Sequence, residues 1–287
     1  MIKTSQILSL DSIRSTLVRQ EETIIFAMIE RAQFRKNDVI YNLKENHLRN
    51  VYGAPLSFLE WMLIETEKLH SKVRRYTSPE EHAFFPNLLP PPILQVLDYP
   101  KILPVDKNAV NVNGEVLRWY VEKIIDRLCI PGDDEQHGST VLCDIASLQA
   151  LSRRIHLGKF VAESKFQEDE ESYRKLIQEG DVAGVVAKLT NQEVERNVLR
   201  RAFVKASTYG QDIVSTNPAA TPPVPSGPTG YKIEPMLIAD IYRDLIIPLT
   251  KDVEVRYLYH RCGVPPPTPD LYYTLCRGPT DAFENLK

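Results

Sequence analysis

Residues 151–166 read Leu151-Ser-Arg-Arg-Ile-His-Leu-Gly-Lys-Phe-Val-Ala-Glu-Ser-Lys165-Phe166, a run without proline and with apolar residues at helical spacing. At 100° per residue it puts Arg154, Gly158, Val161 and Lys165 on one helix face, because the step from Arg154 to Lys165 is close to three full turns. Two cations thus flank a face whose middle is small. A glycine inside a helix costs on the order of 1 kcal/mol, so Gly158 predicts either room for an anionic small ligand or close approach of another helix. Spacing alone leaves both open; in the second case Arg154 and Lys165 are simply a solvated face.

Outward from this stretch the chain reads as helix after helix. Ile13, Leu17, Ile24, Met28 and Ile29 recur at helical spacing and predict one amphipathic helix over residues 10–34, behind a Ser9 or Asp11 cap and with Arg14 and Glu21 two turns apart. Ser57-Phe-Leu-Glu60 is a capping box opening a helix over 57–75, before Ser78-Pro79 interrupts it. Residues 84–104 are proline-rich and read as extended over the surface. Helical periodicity returns over 116–129, stops at Pro131-Gly132-Asp133-Asp134, and resumes over 139–166. Helices are further expected over 171–178 and 182–189, then from a capping box at Thr190-Asn-Gln-Glu193 to residue 208. The prolines of 216–230 forbid helix and predict a flexible loop over about 214–230. A last helix over 235–260 contains Pro248, which should kink rather than end it, because Ile246, Leu249, Val253 and Leu258 stay apolar on both sides. With no alternating strand and no repeat of 20 to 50 residues, the fold class is all-α.

Composition narrows the function classes. The 287 residues are 43% apolar, enough for a sizeable core, and 35 Lys+Arg against 38 Asp+Glu leave no basic footprint for nucleic acid or an anionic membrane. Cys129, Cys143, Cys262 and Cys276 form no CxxC pair and the histidines no HExxH, so free thiols in a reducing compartment and no metal site are expected. No apolar run is long enough to span a bilayer, and the N-terminal residues enter helical periodicity too soon for a secretory or transit peptide. A cytoplasmic location is expected; a plastid form would need an N-terminal extension. Two further pairs share the i, i+4 spacing that puts side chains on one helix face, Asn191 with Glu195 and Thr250 with Glu254, though ordinary helix-surface polarity gives the same pattern.

Four stretches carry a family resemblance: SIRSTLVRQEETIIFAMIERAQF, KLHSKVRRYTSPEEHAFFP, HGSTVLCDIASLQALSRRIHLGKFVAESKFQ and IADIYRDLIIPLTKDVEVRYL. In order and over nearly the whole chain they resemble the blocks of the all-helical chorismate mutases of fungi and plants. The resemblance implies a single helical-bundle domain of ten to twelve helices over 1–261, a homodimer, one active site inside each subunit, and a cofactor-free isomerisation of chorismate to prephenate. It places the catalytic residues on Arg14, Arg154, Lys165 and Glu254. The two arginines would hold the carboxylates of chorismate, and Lys165 and Glu254 would address its ether oxygen. Glu195 would bond the ring hydroxyl, with Asn191 and Thr250 as further substrate contacts. A Glu254 that donates to the ether oxygen must be protonated, which implies a buried carboxyl with a raised pKa.

The resemblance also implies an effector site for tyrosine or tryptophan between subunits, built from Gly138 and Ser139 of one and Arg74 and Arg75 of the other. A helix N-terminus suits an amino-acid carboxylate, while the bland reading makes Ser139 a cap and Arg74-Arg75 a solvated helix end. Glu234 stands where the family often has Thr or Ser, which weighs against activation by tryptophan. The other departure is residues 262–287, proline-containing and expected to be a loosely attached tail. The rival functional class is a catalytically silent relative that only binds amino acids, against which the joint presence of Arg14, Arg154, Lys165 and Glu254 argues.

Overall fold

The computed structural model describes residues 10–42, 55–99, 101–211 and 230–282. Among them helix is the only regular element, apart from one isolated bridge between Gln211 and Tyr231. The α segments of the described residues are, in chain order, α1 Leu10–Ala32, α2 Phe58–Lys72, α3 Asn113–Trp119, α4 Ile125–Leu128, α5 His137–His156, α6 Gly158–Glu168, α7 Glu170–Gln178, α8 Val182–Leu189, α9 Gln192–Tyr209, α10 Pro235–Ile241 and α11 Ile247–Arg261. Two π turns, Tyr120–Ile124 and Tyr242–Ile246, and the single residue Leu157 join six of these segments, so the described chain runs as eight rods rather than ten to twelve. No helix among the described residues is long and apolar enough to cross a membrane.

Local signals hold at most boundaries. Ser57 accepts from the Glu60 amide at 3.1 Å while the Glu60 carboxylate accepts from the Ser57 amide at 2.8 Å, the expected reciprocal cap. The last rod is not ended by Pro248: the π turn before it widens the backbone and accommodates the amide that proline lacks. At α9 the cap is displaced by one residue. Asn191, not Thr190, accepts from Val194, because the Thr190 hydroxyl already donates back to Val186 and closes α8. The candidate cap Ser9 and most of the 214–230 loop lie outside the described residues.

α1 packs along α5 and α6, and its inward face buries Ile13, Ile24, Ile25 and Met28. Its C-terminal end is fixed by Arg31, fully buried, whose guanidinium donates to the carbonyls of Phe34, Arg35 and Lys36 and pairs with Asp144 of α5 at 2.6 Å. Tyr41 and Tyr120 donate to the same carboxylate at 2.8 Å. Every polar atom of this interior knot thus has a partner, as a buried ion pair requires. α11 crosses α6 at Gly158, where an added Cβ would lie 3.0 Å from the Thr250 carbonyl and 3.0 Å from its methyl. Gly158 is therefore there for helix approach, one of the two readings left open.

The segment after α11 is not loosely attached. Tyr272 and Cys276 are fully buried and Ala282 nearly so, because short 3₁₀ turns at Pro269–Leu271 and Tyr273–Cys276 fold the chain back over α11. Proline excludes an α-helix here, but it does not exclude packing. The described part of the proline-rich run after α2 turns once as a 3₁₀ helix at Pro86–Leu88, a departure from the extended chain expected, and then exposes Ile93, Val96 and Leu97.

Candidate active site

α1, α5, α6, α9 and α11 enclose a cavity of about 710 Å³. All seven positions proposed for the substrate lie on its wall. α1 contributes Arg14, α5 Arg154, α6 Lys165, the α8–α9 junction and first turn of α9 Asn191 and Glu195, and α11 Thr250 and Glu254. Arg154 and Lys165 reach the cavity together because the Leu157 interruption keeps helical backbone, at φ −60° and ψ −16°, so their shared face continues across it.

Arg154 is the least satisfied group in the cavity. It is only 6% exposed, its guanidinium lies 6.0 Å from the centre of the Tyr242 ring, and its Nε and Nη1 have no hydrogen-bond partner. A buried guanidinium cannot shed its proton, so such an arrangement calls for an acceptor of negative charge. Lys165 likewise has no carboxylate within salt-bridge distance among the described residues; its Nζ donates at 2.5 Å to the carbonyl of Leu189, at the negative end of α8. Arg14 sits at the mouth, its side chain 54% exposed and 3.4 Å from Asp11.

Two of the carboxylates on the wall, Glu21 and Glu195, are paired. Glu21 accepts a two-pronged bond from Arg201 of α9 at 2.6 and 2.8 Å, with Lys205 at 3.3 Å. Glu195 is bound at 2.7 Å by Lys251, itself 4% exposed. Burial pushes the Glu195 carboxyl up, against the pull of Lys251 and Lys165. Glu254, 5% exposed, is also pushed up by burial; Lys165, Lys251 and Arg154 oppose that rise and Glu195 adds to it. The Thr250 hydroxyl donates to Ile246 within its own helix, and the Asn191 carbonyl oxygen caps α9, leaving the amide N–H groups of Asn191 as donors.

Lys251 was not legible from spacing. The periodicity argument selects Thr250 with Glu254, and Lys251 stands 100° off that line; it enters the wall because α9 brings Glu195 alongside. The effector positions are not brought together within one chain. Arg75 donates to Gln149, ten residues along α5 from Ser139 and therefore roughly 15 Å away along the helix axis. Arg74, in left-handed conformation, donates to the Gln95 carbonyl. Ser139 is not a cap: α5 starts at His137 behind Gln136, which makes no side-chain bond. A methyl group on Gly138 would meet no atom of the chain within 4 Å.

The fold and cavity define an all-helical protein with an interior cavity that sets cations without carboxylate partners among the described residues beside a carboxyl whose ionisation is opposed by burial. Residues 138–255 match the chorismate mutase type II family. The chain is 45% identical over 91% of its length to chorismate mutase 3, chloroplastic, of Arabidopsis thaliana, covering 80% of that protein. It superimposes with a TM-score of 0.80 on a chorismate mutase of Candida albicans crystallised with L-Trp, at 42% identity over 91% of this chain and 95% of that one. AtCM1 crystallised with tyrosine in its allosteric site matches with a TM-score of 0.76, at 41% identity over 90% of this chain and 98% of that one. The chain belongs to the chorismate mutase family, isomerases that convert chorismate to prephenate.

Proposed function

We propose that catalysis in this chain rests on Arg14, Arg154, Lys165 and Glu254, with Asn191, Glu195 and Thr250 as substrate contacts. The carrying observation is Arg154, buried with two nitrogens unpartnered at the inner end of the cavity. The reaction breaks a C–O bond while forming a C–C bond, needing no nucleophile and no net proton transfer. The protein therefore has to impose a chair-like geometry on the substrate and stabilise developing charge. Arg154 holds one carboxylate in the interior, and Arg14 swings from the mouth onto the other, where paired guanidinium hydrogen bonds fix orientation. Negative charge grows on the ether oxygen as the C–O bond breaks. Lys165 donates to it, and protonated Glu254 does so from the opposite wall, both interactions strengthening toward the transition state. An ionised Glu254 would repel that oxygen, so activity falls as pH rises through the elevated pKa of this carboxyl. The test is prephenate formation by the purified chain across pH. Glu254→Gln keeps a donor at every pH and should flatten the alkaline limb, while Glu254→Ala should be slow throughout. A folded, substrate-binding Glu254→Gln protein that is inactive at all pH values would show that Glu254 acts as a carboxylate.

For regulation, we infer a homodimer in which tyrosine, or tryptophan at the same place, binds Gly138 and Ser139 of one subunit and Arg74 and Arg75 of its partner. Three features support it: the open space at Gly138, the distance that keeps Arg75 from Ser139 within one chain, and the exposed apolar side chains Leu69, Val73, Ile93 and Val96 beside Arg74. Calorimetry with tyrosine on wild type and Gly138→Ala tests it; equal affinity in the two would refute the location.

A further inference from the structure

The residues after α11 do more than cover hydrophobic surface. Asp252, fully buried on the side of α11 away from the cavity, accepts from the Tyr272 hydroxyl at 2.5 Å and pairs with Arg256 at 2.7 Å. Its neighbours Lys251 and Glu254 face the cavity. Cys276 is fully buried in the short 3₁₀ turn that packs on α11, the helix carrying Lys251, Asp252 and Glu254, and is not on the cavity wall. Further on, Asp281 takes a two-pronged bond from Arg196 at 2.8 and 3.0 Å, and Arg200 donates to the Ala282 carbonyl. Arg196 adjoins Glu195 on α9. The segment therefore grips the two helices that carry the Lys251–Glu195 pair, each from its outer side.

We propose that Tyr272, Cys276 and Asp281 are positioning residues for the isomerisation: the segment 262–282 is an outer wall that fixes α11 against α9 and keeps water from reaching Glu254 from behind. The assignment rests on the reading of Glu254 and Glu195 given above. Tyr272 fixes the rotation of α11 through Asp252, and thereby where Lys251 and Glu254 point. Asp281 fixes α9 through Arg196, and thereby where Glu195 meets Lys251. Cys276 fills the space between. The groups that face the Glu254 carboxyl are Arg154 from α5, Lys165 from α6, Tyr173 from α7, Glu195 from α9, Lys251 from α11 and Cys276 from the tail. The tail brings no charge to this carboxyl, so its effect on Glu254 is exclusion of water. Loosening it hydrates the carboxyl, lowers its pKa and brings the loss of activity to lower pH.

The experiment uses the full chain as wild type, Tyr272→Phe, Asp281→Asn and Glu254→Gln, measuring kcat and KM from pH 5 to 9 together with thermal melting. Tyr272→Phe should move the alkaline limb to lower pH and cut kcat at pH 8 by about tenfold, the effect expected of losing one hydrogen bond to a buried charge. Asp281→Asn, a half-buried site whose change is mild enough to fold, should move the limb the same way by less. Both limbs superimposing on wild type, with or without a lower melting temperature, would make the segment structural filler and overturn the proposal. Glu254→Gln separates the two layers. If its limb does not flatten, the reading of Glu254 is lost, and the positioning role is then decided by whether Tyr272→Phe and Asp281→Asn lower kcat at unchanged KM.

Discussion

Replacing Arg154 by methionine should make the protein more stable and nearly inactive, an opposition of sign that few other roles for this residue would produce. The side chain is 6% exposed and leaves Nε and Nη1 unbonded, each a buried donor whose desolvation costs about 1–3 kcal/mol. Against this the wild type gains an attraction between the guanidinium and the Tyr242 ring at 6.0 Å, worth about 0.5–2 kcal/mol. Methionine keeps much of the volume and flexes into the space, so little packing is lost. The two donors together cost about 2–6 kcal/mol, so the balance favours the variant by about 0–5 kcal/mol, each kcal/mol being roughly 2–4 °C in melting temperature for a chain of this size. Activity runs the other way. Losing one charged group that grips the reacting molecule typically costs about 3 kcal/mol, roughly a hundredfold in rate. Far-UV circular dichroism melting and chorismate consumption on the same preparation read both quantities. A lower melting temperature with turnover within about threefold of wild type would mean that Arg154 is a structural group and that the cavity is not the site of reaction.

Lys165→Ala should lose about a hundredfold in kcat while keeping its helical content, since its one hydrogen bond is to the last carbonyl of α8 and no ion pair among the described residues is lost with it; near-normal turnover in kinetic assays would remove it from the reaction. Gly158→Ala should lower both melting temperature and kcat, by about 1–3 kcal/mol in stability, because the new methyl meets the Thr250 backbone at 3.0 Å and displaces α11; a melting curve and rate equal to wild type would show the crossing to be loose. Arg31→Met should cost about 3–5 kcal/mol in urea unfolding, since it strands the Asp144 carboxylate in the core with two tyrosines for company. Burial raises the folded-state pKa of Glu254, so its contribution to stability is complete below the ordinary glutamate range and is lost as pH rises through the elevated value. Wild type should therefore lose unfolding free energy over that interval relative to Glu254→Gln, by about 1.4 kcal/mol for every tenfold weakening of the acid on folding, and parallel curves for the two proteins would contradict the raised pKa.

What the sequence by itself determined is what short-range chemistry specifies. The Ser57–Glu60 box, the one-sided runs of α1 and α5, the stop at Pro131-Gly132 and the proline that bends but does not end the last rod all depend on residues three or four apart. The same reach put Arg154 with Lys165 and Thr250 with Glu254 on single faces, and the family resemblance supplied Arg14 and the roles. Even at that range one cap slipped from Thr190 to Asn191, because the threonine hydroxyl had a competing acceptor in the preceding helix. Only the tertiary structure decided which charges pair and which are left over. Lys251 meets Glu195 and Arg201 meets Glu21 across 56 and 180 residues, and their pairing leaves Arg154 and Lys165, with Arg14 at the mouth, to face a ligand. It also decided that a proline-containing tail is a wall: burial of Tyr272 depends on a carboxylate 20 residues away on α11, and no pattern within the tail encodes it. Periodicity tells a side chain which way to face along its own helix, whereas desolvation and pairing depend on what the other helices bring to that face.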